Sequence, residues 1–468
     1  MNTHDYDFCV IGAGSAGYAA AMTARRLGKT VAVAETEAPL AGLCILRGCM
    51  PSKTLLRSAE IAHLVETAPD LGIEPQSFSV NMRTVINRKR RIIDGFAAYR
   101  RLGITKFPIF QGQPRFTGKN ELRVGDDVIR ATFFLIATGS LINVPDGIPG
   151  LRETGFVTSD DVLEMDALPK SVLILGGGEV ACELAQYIGR LGSETTVLQR
   201  SATVLSHEDA DVGVAVRAGM EADGITVETG VQLLQIQRRG ARKLVAAKVS
   251  GVERSFEADE IFAALGRRPN LDGLDLDAAS VERDGVGLKV NEFLQTTNPA
   301  IYAAGDSIGT RELVHVAVYE GQLAAQNACG DRRRVVEYWL QETRAVFTDP
   351  QVGIAGLNER QCKERGIEYA VATYPFNDLG KAIATDQTRG FIKMLASPKD
   401  GTILGVTCVG PEASDLIHEA IALLYFKATI DDVMQMPHLH PTLAEIITYP
   451  AEELCDRLEH RGYALVTP

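Results

Sequence analysis

Residues Asp7 to Glu35 read DFCVIGAGSAGYAAAMTARRLGKTVAVAE, and the order of chemical types in this stretch decides the fold. A short apolar run leads into G-x-G-x-x-G at Gly12, Gly14 and Gly17; an alanine-rich segment follows, and a second apolar run ends in the acid Glu35. That order predicts strand, tight turn, helix and strand. The glycines permit the turn, the close approach of a pyrophosphate to backbone N–H groups at the helix N-terminus, and tight packing of helix on sheet, while the acid can accept from a ribose hydroxyl. A lone G-x-G-x-x-G would be an ordinary glycine-rich turn. With its flanking strands and terminal acid it reads as a dinucleotide site.

Residues Ser171 to Arg200, SVLILGGGEVACELAQYIGRLGSETTVLQR, repeat the pattern, with Gly176 and Gly178 opening the turn and Ala181 where the third glycine stood. The copies align without a gap: Glu35 lies 23 residues after Gly12, and Gln199 lies 23 residues after Gly176. The second copy has therefore lost its acid and has Arg200 beside the vacated place. An acid there repels a 2′-phosphate and an arginine attracts one, so the second site leans toward NADPH, with NADH possible, and the first toward an unphosphorylated adenosine. The bland alternative for Arg200 is a solvated charge after a strand. Two dinucleotide sites in one chain suggest a flavin and a nicotinamide placed for hydride transfer. FLIATGS (134–140, holding Thr138 and Gly139), IFAALGRRPN (261–270, holding Gly266) and IYAAGD (301–306, ending at Asp306) read as further buried strands that end in glycine turns.

Around these units the chain is 468 residues long, 46% hydrophobic and 23% charged, with 44 glycines, which describes a multidomain globular α/β protein. A formal net charge of -12 argues against nucleic acid or anionic membrane as partner. The first residues, MNTHDYD, lack the basic and apolar regions of a signal peptide, and apolar runs are interrupted well short of a membrane span. Eight scattered cysteines suit a reducing cytoplasm. Two of them, in GLCILRGCMPSK (42–53), have four residues between them and precede a proline and a helix start. In that compartment a close pair points to redox or metal chemistry more than to a staple.

GAGSAG, C-x4-C-x-P-S-K, ATGS, GGGEVACE, GRRPN, AAGD and HPTLAE occur in the order found in the flavin-dependent pyridine nucleotide–disulfide oxidoreductases. The chain resembles that family over essentially its whole length, and most closely the dihydrolipoamide dehydrogenases, with glutathione reductase and mercuric reductase as cousins. The resemblance implies two Rossmann-like domains, for FAD and NAD(P), and a C-terminal α/β dimerisation domain. Expected boundaries are 1–147 for the first part of the FAD domain, 148–268 for the NAD(P) domain, 269–338 for the returning FAD segment and 339–468 for the interface domain of a homodimer.

Zinc would need two further ligands of compatible spacing, and the one other close pair, His438 and His440, lies far along the chain. No metal is expected, and Cys44–Cys49 reads as a redox-active disulfide. By resemblance, Cys49 is the thiol against the flavin and Cys44 the interchange thiol that attacks the substrate. Lys53 lies near the flavin and pairs with Glu183; Asp306 binds the ribityl chain, Glu35 the adenosine ribose. In PHLHPTLAE (437–445), His440 matches the base and Glu445 its orienting acid, a pairing suited to thiol–disulfide exchange.

Two features depart from the dihydrolipoamide dehydrogenase pattern. Ile45, Leu46 and Arg47 stand between the cysteines where small or polar residues are usual, and Gln199–Arg200 replaces an acid. Arg47 is expected either to lower thiol pKa values and favour an anionic substrate, or to point to solvent. The segment RGYALVTP, without vicinal cysteines, speaks against mercuric reductase proper. The expected activity is transfer of electrons between NAD(P)(H), flavin, the cysteine pair and a dithiol or disulfide. The alternatives are an NADPH-dependent reductase of a small disulfide or of a metal ion, and, in another class, a flavoprotein serving mainly in assembly of a multienzyme complex.

Overall fold

The computed structural model describes residues 2–36, 40–339 and 343–458. The opening stretch forms strand β1 (Asn2–Ile11), helix α1 (Ser15–Arg26) and strand β2 (Val31–Glu35). β2 and the later strand β6 (Asp127–Ile136) both pair in parallel with β1, and the strand Ile301–Ala303 returns to pair in parallel with β6. This first sheet is completed by β3 (Ile109–Gln111) on β2 and by an antiparallel extension of β4 (Pro114–Gly118) and β5 (Glu121–Val124) on β6. Its central strands are buried, Phe8 to Ile11 and Ala32 to Ala34 fully so, which is why they read as unbroken apolar runs rather than alternating ones.

Between β2 and β3 lie three helices: α2 (Leu43–Arg47), α3 (Cys49–Thr67) and α4 (Met82–Ile104). The second glycine-rich stretch builds an equivalent parallel sheet, ordered Thr226–Glu228, Glu194–Leu198, Ser171–Leu175 and Glu260–Ala263, with a three-stranded antiparallel sheet beside it. The C-terminal part is a five-stranded antiparallel sheet in the order Arg344–Val346, Gln351–Gly356, Ile403–Gly410, Phe391–Ala396, Ala370–Pro375. Helices Ala413–Tyr425 and Thr448–Arg457 pack on it around Phe376, Met394 and Ile417. Among the described residues no helix is long and apolar enough to cross a membrane.

The returning segment is held by contact between helices. Helix Val314–Cys329 crosses α1 so closely that a Cβ on Gly321 would lie 2.2 Å from the carbonyl oxygen of Ala16. Alanine is the better helix former by about 1 kcal/mol, but backbone on the far side cannot yield as a side chain could. Gly321→Ala should therefore destabilise the protein by roughly 1–3 kcal/mol, the usual cost of overpacking, as read from the midpoint of urea or thermal unfolding; a gain in stability would show that the crossing is loose.

Candidate functional site

The two glycine turns are built alike. Gly12 has φ +104° and Gly176 φ +114°, and a Cβ on either would lie 2.3 Å from a carbonyl oxygen, that of Ala137 or of Ala264. The strand ends before ATG and LGR are thus the surfaces on which each turn is seated; the Ala137 and Ala264 N–H groups donate back to Ile11 and Leu175, each at 2.9 Å. The second glycine of each motif is open: Gly14 would meet only the Cα of Gly42, at 4.0 Å, and Gly178 meets nothing within that distance. That leaves backbone N–H groups approachable at the starts of α1 and of Glu179–Arg190, as a pyrophosphate requires. Gly17 serves packing, since its Cβ would fall 1.9 Å from the Gly12 oxygen, whereas Ala181 carries its methyl inside the core.

Glu35 reaches back across its turn, its Oε2 accepting from the Ala13 N–H at 2.7 Å. Gln199 is buried against Gly177, donates to the Thr203 carbonyl at 3.2 Å and accepts from the Arg200 N–H at 3.1 Å. Arg200 is exposed. Asp306, in the turn after Ile301–Ala303, accepts from the Ser140 hydroxyl at 2.7 Å, and Arg267 donates to Ser140 Oγ and O at 2.9 and 3.0 Å. Gly139 and Gly266 have open space at their Cβ positions, and the buried Thr138 hydroxyl has no hydrogen-bond partner. Ser140 and Arg267 lie inside stretches already singled out in the sequence, but their pairing appears only in the structure, where Ser140–Ile142 runs antiparallel to Arg267–Pro269.

Cys44 lies in α2 and Cys49 is the first residue of α3, where the helix dipole favours an anion. Both are thiols in this structure, the reduced form of a pair, and they are hydrogen-bonded to each other. The bond from Cys44 holds Cys49 down at about 7, against the effect of burial and with help from the Lys53 ammonium. The same bond, with burial, raises Cys44. Each of the other six cysteines is pushed up by burial, Cys329 to about 11 and Cys455 to about 12, so Cys49 alone of the eight moves toward the thiolate.

Lys53, one helical turn after Cys49, donates to Glu183 Oε2 at 2.7 Å and sits 4.4 Å from the Phe347 ring centroid; Glu183 Oε1 accepts the Phe347 N–H at 2.9 Å. Arg47 is half exposed and pairs with Asp160 at 3.7 Å. The cation that faces Cys44 is Arg100 of α4, stacked 4.4 Å from the Tyr18 ring centroid, with its Nη1 buried and unpartnered. Nothing in the sequence singled out Arg100, one charge among many on a long polar helix.

The two late histidines separate cleanly. His438 is nearly buried and both ring nitrogens are used, Nδ1 at 3.1 Å from the Met436 carbonyl and Nε2 at 2.8 Å from Glu419. His440 is 75% exposed and uses only Nδ1, at 3.0 Å from the buried Glu445. With Nδ1–H donating to that carboxylate, Nε2 is left to take a proton. Among the described residues no group of three His, Cys, Asp or Glu side chains could hold a metal ion.

Residues 6–321 match the family described as pyridine nucleotide-disulphide oxidoreductase, and residues 343–451 match its dimerisation domain. The chain belongs to this family. Among its relatives are a mercuric reductase of Bacillus cereus, 33% identical over 94% of this chain and 70% of that one. A dihydrolipoyl dehydrogenase of Bacillus subtilis (strain 168) is 32% identical over 94% and 96%. The solved structure of the HOCl-induced flavoprotein disulfide reductase RclA from Escherichia coli shares the fold, with a TM-score of 0.84 at 23% identity over 96% of this chain and 99% of that one. The family is FAD-dependent and uses a pyridine nucleotide. The open cradle at Gly14 and the orphaned Thr138 hydroxyl fit a bound dinucleotide. The segment RGYALVTP, weighed above against mercuric reductase, lies outside the described residues.

With Cys49 held at about 7, the ultraviolet absorbance of its thiolate in the reduced protein should be present above neutral pH and disappear as pH falls through 7. Lys53→Met removes a cation that favours the thiolate and should move that midpoint upward. A midpoint unchanged by the substitution would remove Lys53 from the account.

Proposed function

We propose that the protein is an FAD-dependent disulfide oxidoreductase of dihydrolipoamide dehydrogenase type, a homodimer of the reducing cytoplasm, divided near residues 147, 268 and 338. The observation that carries the reading is the lowered Cys49 thiol at the head of α3, bonded to Cys44 and flanked by the Lys53–Glu183 pair. Residues around Gly12, Gly14, Gly17, Glu35, Thr138, Gly139 and Asp306 would hold FAD, and those around Gly176, Gly178, Gln199, Arg200 and Gly266 the nicotinamide coenzyme. Bound, the two supply two-electron hydride chemistry.

The remaining steps belong to the protein. In the reducing direction Cys44 gives its proton to His440 and attacks the substrate disulfide, releasing one substrate thiolate, which takes that proton back from His440. Cys49 then attacks Cys44 in the mixed disulfide, forming the Cys44–Cys49 bond and releasing the second thiolate. Glu445 holds the imidazole by Nδ1 so that Nε2 carries the proton each way. In the oxidising direction the same residues act in reverse.

A second reading, NADPH-dependent reduction of a small disulfide or of a metal ion, is favoured by exposed Arg200 and by the mercuric reductase relatives. Turnover of purified enzyme with lipoamide, glutathione disulfide and Hg(II), each with NADH and NADPH, separates the readings. NADPH should be the more efficient coenzyme, and Arg200→Glu should reverse the order with a loss of about 2 kcal/mol or more, the scale of charge-assisted contacts. Equal efficiencies in the parent would remove Arg200 as a selector.

The exposure of His440 supports a base that serves the partner's disulfide across a two-fold axis. A heterodimer of one Cys44→Ser chain and one His440→Ala chain then has one doubly defective site and one intact site. Mixing the two nearly inactive parents should restore about half of wild-type activity per heterodimer, by site counting on that axis. Heterodimers as inactive as their parents would place the base in its own chain.

A further inference from the structure

Glu320, on the helix Val314–Cys329, is 1% exposed and takes no part in the steps above. Both of its oxygens are committed. Oε2 accepts from the Gly305 N–H at 2.7 Å, and Oε1 accepts from the Tyr338 hydroxyl at 2.6 Å. Gly305, with φ +72°, is the residue before Asp306, and a Cβ on it would crowd Ala317 and Ala16 at 3.2 and 3.4 Å. Tyr338 lies in the segment leading toward the interface sheet, with the Arg311 guanidinium 3.7 Å from its ring centroid. Burial lifts Glu320 to about 6, while the two donors and Arg311 pull the other way and Asp306 adds to the rise.

We propose that Glu320 is a positioning residue for the flavin: its carboxylate fixes the Gly305 amide, and with it the direction of Asp306, while Tyr338 holds the carboxylate in place. The inference rests on the reading that Asp306 holds FAD. A carboxylate is otherwise a costly group to bury on the inner face of a helix. An apolar residue of similar length would fill the space but leave the Gly305 N–H buried without an acceptor. Glutamine would keep an acceptor for Gly305 and turn its amide N–H toward the tyrosine oxygen, so the conservative variant should preserve the arrangement.

The test is the rate of FAD release from diluted holoenzyme, followed as the rise of free-flavin fluorescence, together with the unfolding midpoint. Glu320→Met should release FAD about tenfold faster, the scale of one unsatisfied buried donor. Tyr338→Phe should fall between it and the parent, and Glu320→Gln should stay near the parent. If Glu320→Met is folded and releases FAD at the parent's rate, the carboxylate is only core filling and the proposal fails. If Glu320→Met does not fold, Tyr338→Phe decides, and a parental rate there overturns the proposal. Asp306→Asn separates the two levels: fast release from it with parental release from Glu320→Met refutes the clamp alone, whereas parental release from Asp306→Asn refutes the flavin assignment and the clamp with it.

Discussion

The architecture of the site depends on how one buried carboxylate is satisfied. Glu183 is 4% exposed, and an ionised group so placed costs several kcal/mol unless its oxygens are bonded. One oxygen takes the Lys53 ammonium and the other the Phe347 N–H. These partners come from the helix that begins at Cys49 and from the start of the C-terminal sheet, while Glu183 itself belongs to the helix of the second glycine turn. The pairing therefore fixes the thiol pair relative to the second nucleotide unit and to the interface domain at a single point. It also sets a cation one turn from Cys49, on the same helix face.

A second set of ion pairs, each with at least one buried partner, keeps the nucleotide unit and the interface domain in register. Lys393, on a central strand of the C-terminal sheet and 1% exposed, meets Asp209, Asp211 and Glu359 at 2.8, 2.8 and 3.1 Å. Arg190 bridges Asp223 and Asp349 at 2.9 and 2.6 Å, and Arg344 grips Glu208 through two nitrogens. Such pairs add little net stability compared with apolar packing, but removing one partner strands a buried charge, so they penalise any other relative placement of the domains.

The two glycine turns share some properties and differ in others. Both first glycines are pressed on a strand-end carbonyl and both second glycines face open space, because these two properties make the anion cradle. The third position and the acid differ: Ala181 stands buried where the first turn has Gly17, and Gln199 turns inward onto Gly177 where Glu35 caps a backbone N–H.

The two strand–turn–helix units and the close cysteine pair were legible in the sequence as local patterns of residue types with a short-range cause, whereas Lys53, Glu183, His440 and Glu445 were singled out by the resemblance of their motifs to the family's. The pairings of Lys53 with Glu183 and of His440 with Glu445 followed from matching motifs, and the structure brings each together. What only the tertiary structure decided are contacts between segments distant in the chain. Arg47, adjacent to the cysteines in sequence, pairs with Asp160, while Arg100 from α4 is a cation whose charge acts on Cys44. Ser140 and Arg267 join across a pair of short strands, and Glu320 finds Gly305 and Tyr338. Periodicity and motif spacing report on neighbours within a turn or a strand. Which charge faces a thiol, and which carboxylate is buried against which amide, depends on how helices cross and sheets pair, and is settled only when the packed core makes an unpaired polar group costly.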